Sequence, residues 1–198
     1  RNCMIGSNSA VNIADSYMKG IRGYDIETLY EGILKNSENA GPMDSVGRLG
    51  VEHYNKLGYV PCDVGVKEHS ARTVADSFAD FTLWKLAKAL NRPQEEIDRF
   101  YKRAHNYKNV FDASTNFMRG KNKDGSWSRP FVPEKWGGDF TEGCAWHYTW
   151  SVFQDPQGLI DLMGGREAFV AKLDAVFTTP PKYDCSYYKH PIHEIIEM

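Results

Sequence analysis

Residues 71–110 read ARTVADSFADFTLWKLAKALNRPQEEIDRFYKRAHNYKNV, and their pattern decides the fold class. Val74, Phe78, Phe81, Leu83, Trp84, Leu86 and Leu90 recur at helical spacing but cover more than one narrow stripe. They predict a helix from about Ala71 to Leu90 packed on two sides. Asn91-Arg92-Pro93-Gln94 then has the chemistry of a helix start: Asn caps, Pro is tolerated in the first turn, and Gln three residues on can reach back. A second helix follows from Pro93 to about Val110, with Ile97, Phe100, Tyr101, Ala104, Tyr107 and Val110 inward. Long amphipathic helices joined by so short a connection form antiparallel hairpins, so the fold class is all-α, a stack or toroid of helix pairs.

The flanking sequence repeats the same grammar. Val11, Ile13, Ala14, Tyr17 and Met18 form a helical stripe that Gly20 stops, and Asp25 caps a helix running to about Leu34. A third helix is expected over Val46 to Leu57, interrupted by Gly47 and Gly50, before Gly58-Tyr59-Val60-Pro61 breaks the pattern. Residues 112–140 are a long polar loop, more often functional than ornamental in a compact domain. Helices resume over Gln157 to Met163 and Arg166 to Phe177, and another opens within His190 to Met198 without a stop signal. No strand pair and no internal repeat stands out.

Composition narrows the function. The 198 residues carry 24 Lys and Arg against 26 Asp and Glu, a net charge of −2, which argues against a nucleic-acid partner. With 41% hydrophobic residues the chain can build a core, and no apolar run approaches the roughly 20 residues a membrane span needs. Arg1 is not an initiator Met, so a processed or excised segment is expected. Cys3, Cys62, Cys144 and Cys185 contain no C-x-x-C pair and read as isolated thiols. Aromatic residues make up 13% of the chain, and Trp127, Phe131, Trp136 and Phe140 fall in the long loop. Aromatics there either stack on the flat face of a sugar ring or plug the floor of the loop.

The chemistry concentrates in Asp139-Phe140-Thr141-Glu142-Gly143-Cys144-Ala145-Trp146-His147-Tyr148-Thr149-Trp150. A carboxyl set against indole rings loses solvation of its charged form and can hold a proton for a leaving group, which makes Glu142 the candidate general acid. The alternative is a helix N-terminal Glu favoured by the dipole, with Asp139 or Thr141 as cap. Cys144 and His147 are spaced to face one metal but do not make a site alone, and His190, His193 and Glu194 lack the H-E-x-x-H order. Arg72 and Arg119 are candidate clamps for hydroxyls or carboxylates. No phosphate loop and no G-x-S-x-G is present.

Seven motifs then occur in order: Cys3-Met4-Ile5-Gly6, Gly58-Tyr59-Val60-Pro61, Ser70-Ala71-Arg72-Thr73, Asn106-Tyr107-Lys108-Asn109, Phe117-Met118-Arg119-Gly120, the Thr141–Trp150 segment, and Gly158-Leu159-Ile160-Asp161-Leu162-Met163-Gly164-Gly165. Together they resemble the bacterial α-mannosidases of glycoside hydrolase family 92 over essentially the whole chain. The resemblance implies a calcium-dependent, exo-acting, inverting α-mannosidase, with an (α/α)6 toroid preceded by a β-sandwich domain. It implies Glu142 as general acid and Trp146 as a wall of the pocket, and makes Trp136 and His147 candidate sugar contacts. The base Asp and most calcium ligands are expected outside this stretch. Inversion needs a second carboxylate roughly 6.5–9.5 Å from the acid, a role Asp139 is expected not to fill.

The chain is therefore read as a single fragment, 1–198, about a quarter of a larger enzyme and inactive alone. Many members carry Asn at the position of Cys144 and Gln at that of His147, which leaves the linkage open; α-1,2 is favoured as a common activity of the family. The resemblance also implies export, with mannan or N-glycan mannose as substrate. A catalytically inert carbohydrate-binding or scaffold module is the competing expectation, and a hydrolase using a metal held by Cys144, His147 and the His190/His193 pair is a third.

Overall fold

The computed structural model describes residues 5–43, 46–180, 182 and 184–189. The motif residues Cys3 and Met4, the helix expected within His190 to Met198, and the pair His190 and His193 lie outside the described residues. The chain forms two compact units: Arg1–Val60 with Arg72–Tyr107, and Pro61–Ala71 with Lys108–Met198.

The first unit is built from α1 (Asn8–Met18), α2 (Ile26–Glu38), α3 (Val51–Leu57), α4 (His69–Ala89, whose first three residues count with the second unit) and α5 (Gln94–Arg103). Its core gathers Ala10 and Ala14 of α1, Tyr30 and Ile33 of α2, Leu83, Leu86 and Ala87 of α4, and Phe100 of α5. Asp25 caps α2 as expected, its carboxylate accepting from the N–H groups of Glu27 and Thr28 at 3.1 Å. Helix α4 is packed broadly, burying apolar Val74, Ala79 and Leu83 and polar Thr73, Asp76, Ser77 and Asp80.

Three boundaries differ from the sequence reading. Helix α3 starts only at Val51, because Gly50 adopts a left-handed φ of 79° immediately before it. Asn91 does not cap α5; it takes a left-handed φ of 52° just beyond α4, with the Arg92 N–H returned to the Ala87 carbonyl at 3.0 Å. Helix α5 stops at Arg103, and the chain continues as a 3-10 turn, Asn106–Val110.

The second unit contains β1 (Phe111–Asp112), β2 (Phe117–Met118), α6 (Ala145–Tyr148), α7 (Pro156–Leu162) and α8 (Arg166–Thr178). The two strands pair antiparallel, Phe111 opposite Met118, a ladder too short for a period-2 pattern to betray in the sequence. The fold is helix-rich and all-α in class, as expected. No described helix is long and apolar enough to cross a membrane.

Candidate active site

The segment carrying Glu142 is fixed through its backbone. The Tyr148 hydroxyl donates to the Thr141 carbonyl at 2.7 Å, the Gly137 N–H donates to the Gly143 carbonyl at 2.9 Å, and the Ala145 N–H donates to the Pro133 carbonyl at 3.1 Å. The backbone of Glu142 is itself hydrogen-bonded with Tyr188. Glu142 sits at φ 45°, left-handed backbone that a residue with a Cβ adopts at a cost of order 1–2 kcal/mol. The surrounding bonds hold it there.

Helix α6 opens only at Ala145, so Glu142 is not a helix N-terminal residue and neither Asp139 nor Thr141 caps it. The cap is Cys144: its thiol faces the His147 N–H while its own N–H donates to His147 Nδ1 at 3.1 Å, and Sγ lies 3.2 Å from the same nitrogen. Burial holds His147 below the ordinary histidine range, and Nδ1 acts as acceptor, so the neutral ring carries its proton on Nε2. Burial raises the Cys144 thiol, which keeps it protonated and unsuited to act as nucleophile. Cys-x-x-His is here a reciprocal cap, the role that Ser-x-x-Glu plays elsewhere.

Around this cap lies a cavity of about 400 Å³, walled by Trp136, Cys144, Trp146, His147, Glu134 and the end of α8 at Phe177. Trp136 is 4% exposed and meets the His147 ring edge-on at 5.2 Å between centroids. Trp146 meets Phe117 edge-on at 4.8 Å. The Lys172 ammonium caps both rings, 3.2 Å from the Phe117 centroid and 4.3 Å from that of Trp146, and burial pulls its pKa down to about 8. The cavity thus offers two indoles, an Nε2–H donor and, at Glu134, a carboxylate.

Glu142 does not share that environment. Its side chain is exposed and does not line the indole cavity, so the expected shell of Trp rings around its carboxyl is not built by the described residues of this chain. Asp139 is spoken for structurally: Oδ1 lies 3.3 Å from His69 Nε2, Oδ2 accepts the Gly120 N–H at 3.0 Å, and its carbonyl takes the N–H groups of Ser70 and Ala71 at the start of α4. Burial pushes its carboxyl up, but the His69 and Gly120 hydrogen bonds outweigh this and hold it below the usual range. A Cβ at Gly120 would stand 2.7 Å from Asp139 Oδ2, so only glycine admits this approach. Asp139→Ala is expected to loosen the 137–143 loop, read as faster amide exchange at Gly120, which loses its acceptor, and at Gly137, and to cost about 1–3 kcal/mol.

The two candidate arginines sit in different surroundings. Arg119 is 9% exposed and engaged, with Nη1 on Asp112 Oδ2 at 2.9 Å and Nη2 on the Ser128 carbonyl at 2.6 Å, so it ties the loop together instead of clamping a sugar. Arg72 belongs to the first unit, where it lines a polar cavity with Arg48 and Asp76. Among the described residues no three His, Cys, Asp or Glu side chains come together as a metal site; Cys144 and His147 lack a third partner there. Among the described residues the His, Cys, Asp and Glu side chains therefore do not build a zinc centre, and no cluster of carboxylates marks a calcium site.

Residues 1–195 match the glycosyl hydrolase family 92 catalytic domain, and the chain belongs to that family. A family GH92 inverting mannosidase of Bacteroides thetaiotaomicron superimposes with a TM-score of 0.84 at 40% identity, covering 100% of this chain and 26% of its own. A family GH92 α-mannosidase of the same organism, in complex with mannoimidazole, gives 0.83 at 33% identity over 92% of this chain and 24% of its own. An uncharacterised secreted glycosidase of Arthroderma benhamiae is 31% identical over 201 residues, 85% of this chain and 26% of the relative. The chain thus spans about a quarter of the length of these relatives.

Proposed function

We propose that this chain carries the acid-bearing part of an exo-acting, inverting α-mannosidase, with Glu142 as the proton donor to the departing glycosidic oxygen. The observation that supports it is a carboxylate on a left-handed residue whose flanking carbonyls are both hydrogen-bonded, leaving an exposed side chain on a fixed backbone. Such pre-organisation costs folding energy and suits a group that must meet a substrate. The half-buried Trp146 supplies a sugar-stacking face, Trp136, buried and edge-on to His147, backs the wall of the same cavity, and the His147 Nε2–H is the candidate donor to a hydroxyl. The two mannosidase relatives support mannose as the sugar, and the secreted relative supports export. An α-1,2 linkage in mannan or N-glycans is the preferred substrate.

The base carboxylate, the groups that raise the Glu142 pKa, and the ligands of calcium come, in this reading, from the longer polypeptide. Turnover then requires that remainder: the 198 residues alone are expected to release no mannose from an α-mannoside. The full-length protein is expected to release β-mannose as first product, followed by proton NMR of the anomeric signal. α-Mannose as first product, or turnover by the isolated chain, overturns the reading.

A further inference from the structure

In the first unit a polar cavity of about 390 Å³ is walled by Asn8 and Ser9 at the start of α1 and by Arg48, Arg72 and Asp76. Helix α1 is 11 residues long, and its N-cap Ser7 makes no side-chain cap bond, its hydroxyl instead accepting from Asn36 Nδ2 at 2.9 Å. The first N–H groups of such a helix lack intrahelical acceptors and carry the positive end of the dipole. Arg48 is an independent pointer. It is 5% exposed, its Nη1 bonds Asp80 Oδ1 at 2.7 Å, its Nε lies 3.3 Å from Asp76 Oδ1, and its Nη2 has no hydrogen-bond partner among the described residues. A buried guanidinium donor left unpaired is costly, so an acceptor belongs there.

We propose that this cavity binds a small oxyanion, of sulfate, phosphate or carboxylate type, seated on the α1 N-terminus and the guanidinium groups of Arg48 and Arg72. The oxyanion is either free in solution or a carboxylate of the same longer polypeptide. Asp76 is the group that opposes it. Burial pushes its carboxyl up to about 6, with Arg48 and Arg72 pulling down and Asp80, held by the Tyr54 hydroxyl, adding to the rise. Once protonated, Asp76 turns from a repelling oxygen into a donor, so binding takes up a proton and tightens in acid.

The test is sulfate titration of the full-length protein by calorimetry at pH 5.5 and 7.5, a range over which sulfate keeps its charge. The expected Kd is about 25-fold lower at pH 5.5, because the competent protonated fraction is larger. Asp76→Asn is expected to remove that difference. Asn8→Asp, at an exposed position where an acid favours the helix and so spares folding, is expected to weaken sulfate at least about tenfold at both pH values. A crystal structure of the full-length protein grown with sulfate separates the sources: sulfate on Arg48 supports the free anion, and a carboxylate of the polypeptide in its place, with no sulfate binding, supports the internal one. A cavity holding neither, or sulfate binding indifferent to Asn8→Asp, overturns the proposal.

Discussion

Glu142→Gln in the full-length enzyme is expected to lower kcat on an unactivated α-mannoside by about 10²–10⁴-fold, the usual worth of a positioned general acid. The loss belongs to the chemical step, so KM should change little. Gln retains the shape and hydrogen-bonding capacity of the side chain and tolerates φ 45° no worse than Glu, so the variant keeps the loop bonds through Thr141 and Gly143. An α-mannosyl fluoride, whose leaving group needs no proton, should be hydrolysed nearly as fast by the variant as by the parent. Trp146→Ala, by contrast, should raise KM, since the indole lines the cavity but delivers no proton. Equal losses on both substrates would assign Glu142 a structural role. No turnover above background by parent or variant on either substrate, with sugar affinity following the Trp residues, would favour the inert carbohydrate-binding module.

The local features that the sequence made legible share one property: their cause lies within a few residues. Asp25 caps α2 because its acceptor geometry is set by Glu27 and Thr28, and the apolar spacing of α4 finds the buried side at Val74, Leu83 and Leu86, though not the buried polar side at Thr73, Asp76, Ser77 and Asp80. Trp136, Trp146 and His147 were found through composition and motif, and they do share one cavity. What escaped depends on partners that no helical or strand period names. His69 claims Asp139 from 70 positions away, and Arg119 is consumed by Asp112 and Ser128, so neither residue's availability could be read locally. The φ of Glu142 is held by loop bonds of its neighbours, Tyr148 to Thr141 and Gly137 to Gly143, and a Glu followed by Gly carries no sign of it. Asn91 illustrates a competition between two local rules: the same side chain suits a helix start and a left-handed stop, and the stop wins because Arg92 can return its N–H to Ala87.

The buried charges of the first unit make the largest stability prediction. Arg48 stands between Asp76 and Asp80, all three no more than 5% exposed, with Tyr54 donating to Asp80 Oδ2 at 3.1 Å. Arg48→Met leaves two carboxylates buried without their cation and is expected to cost about 3–5 kcal/mol, read as lost amide-exchange protection in α4 of the full-length protein. The loss should shrink at low pH, where the carboxylates can take protons. Burial raises both Asp76, to about 6, and Asp80 above the unfolded-chain value near 3.8. A raised carboxyl favours the folded state fully below the unfolded pKa, and that favour disappears as pH climbs through the folded one. For Asp76 the window runs from about pH 4 to about pH 6, and its ionisation above that range costs about 3 kcal/mol. Asp76→Asn should therefore stabilise α4 at pH 8 relative to the parent and flatten the pH dependence across the window. If instead α4 in Asp76→Asn is no more protected than the parent at pH 8, or if Arg48→Met leaves protection intact, the ionised Asp76 is not held at a cost and the charge cluster contributes nothing to the stability of this unit.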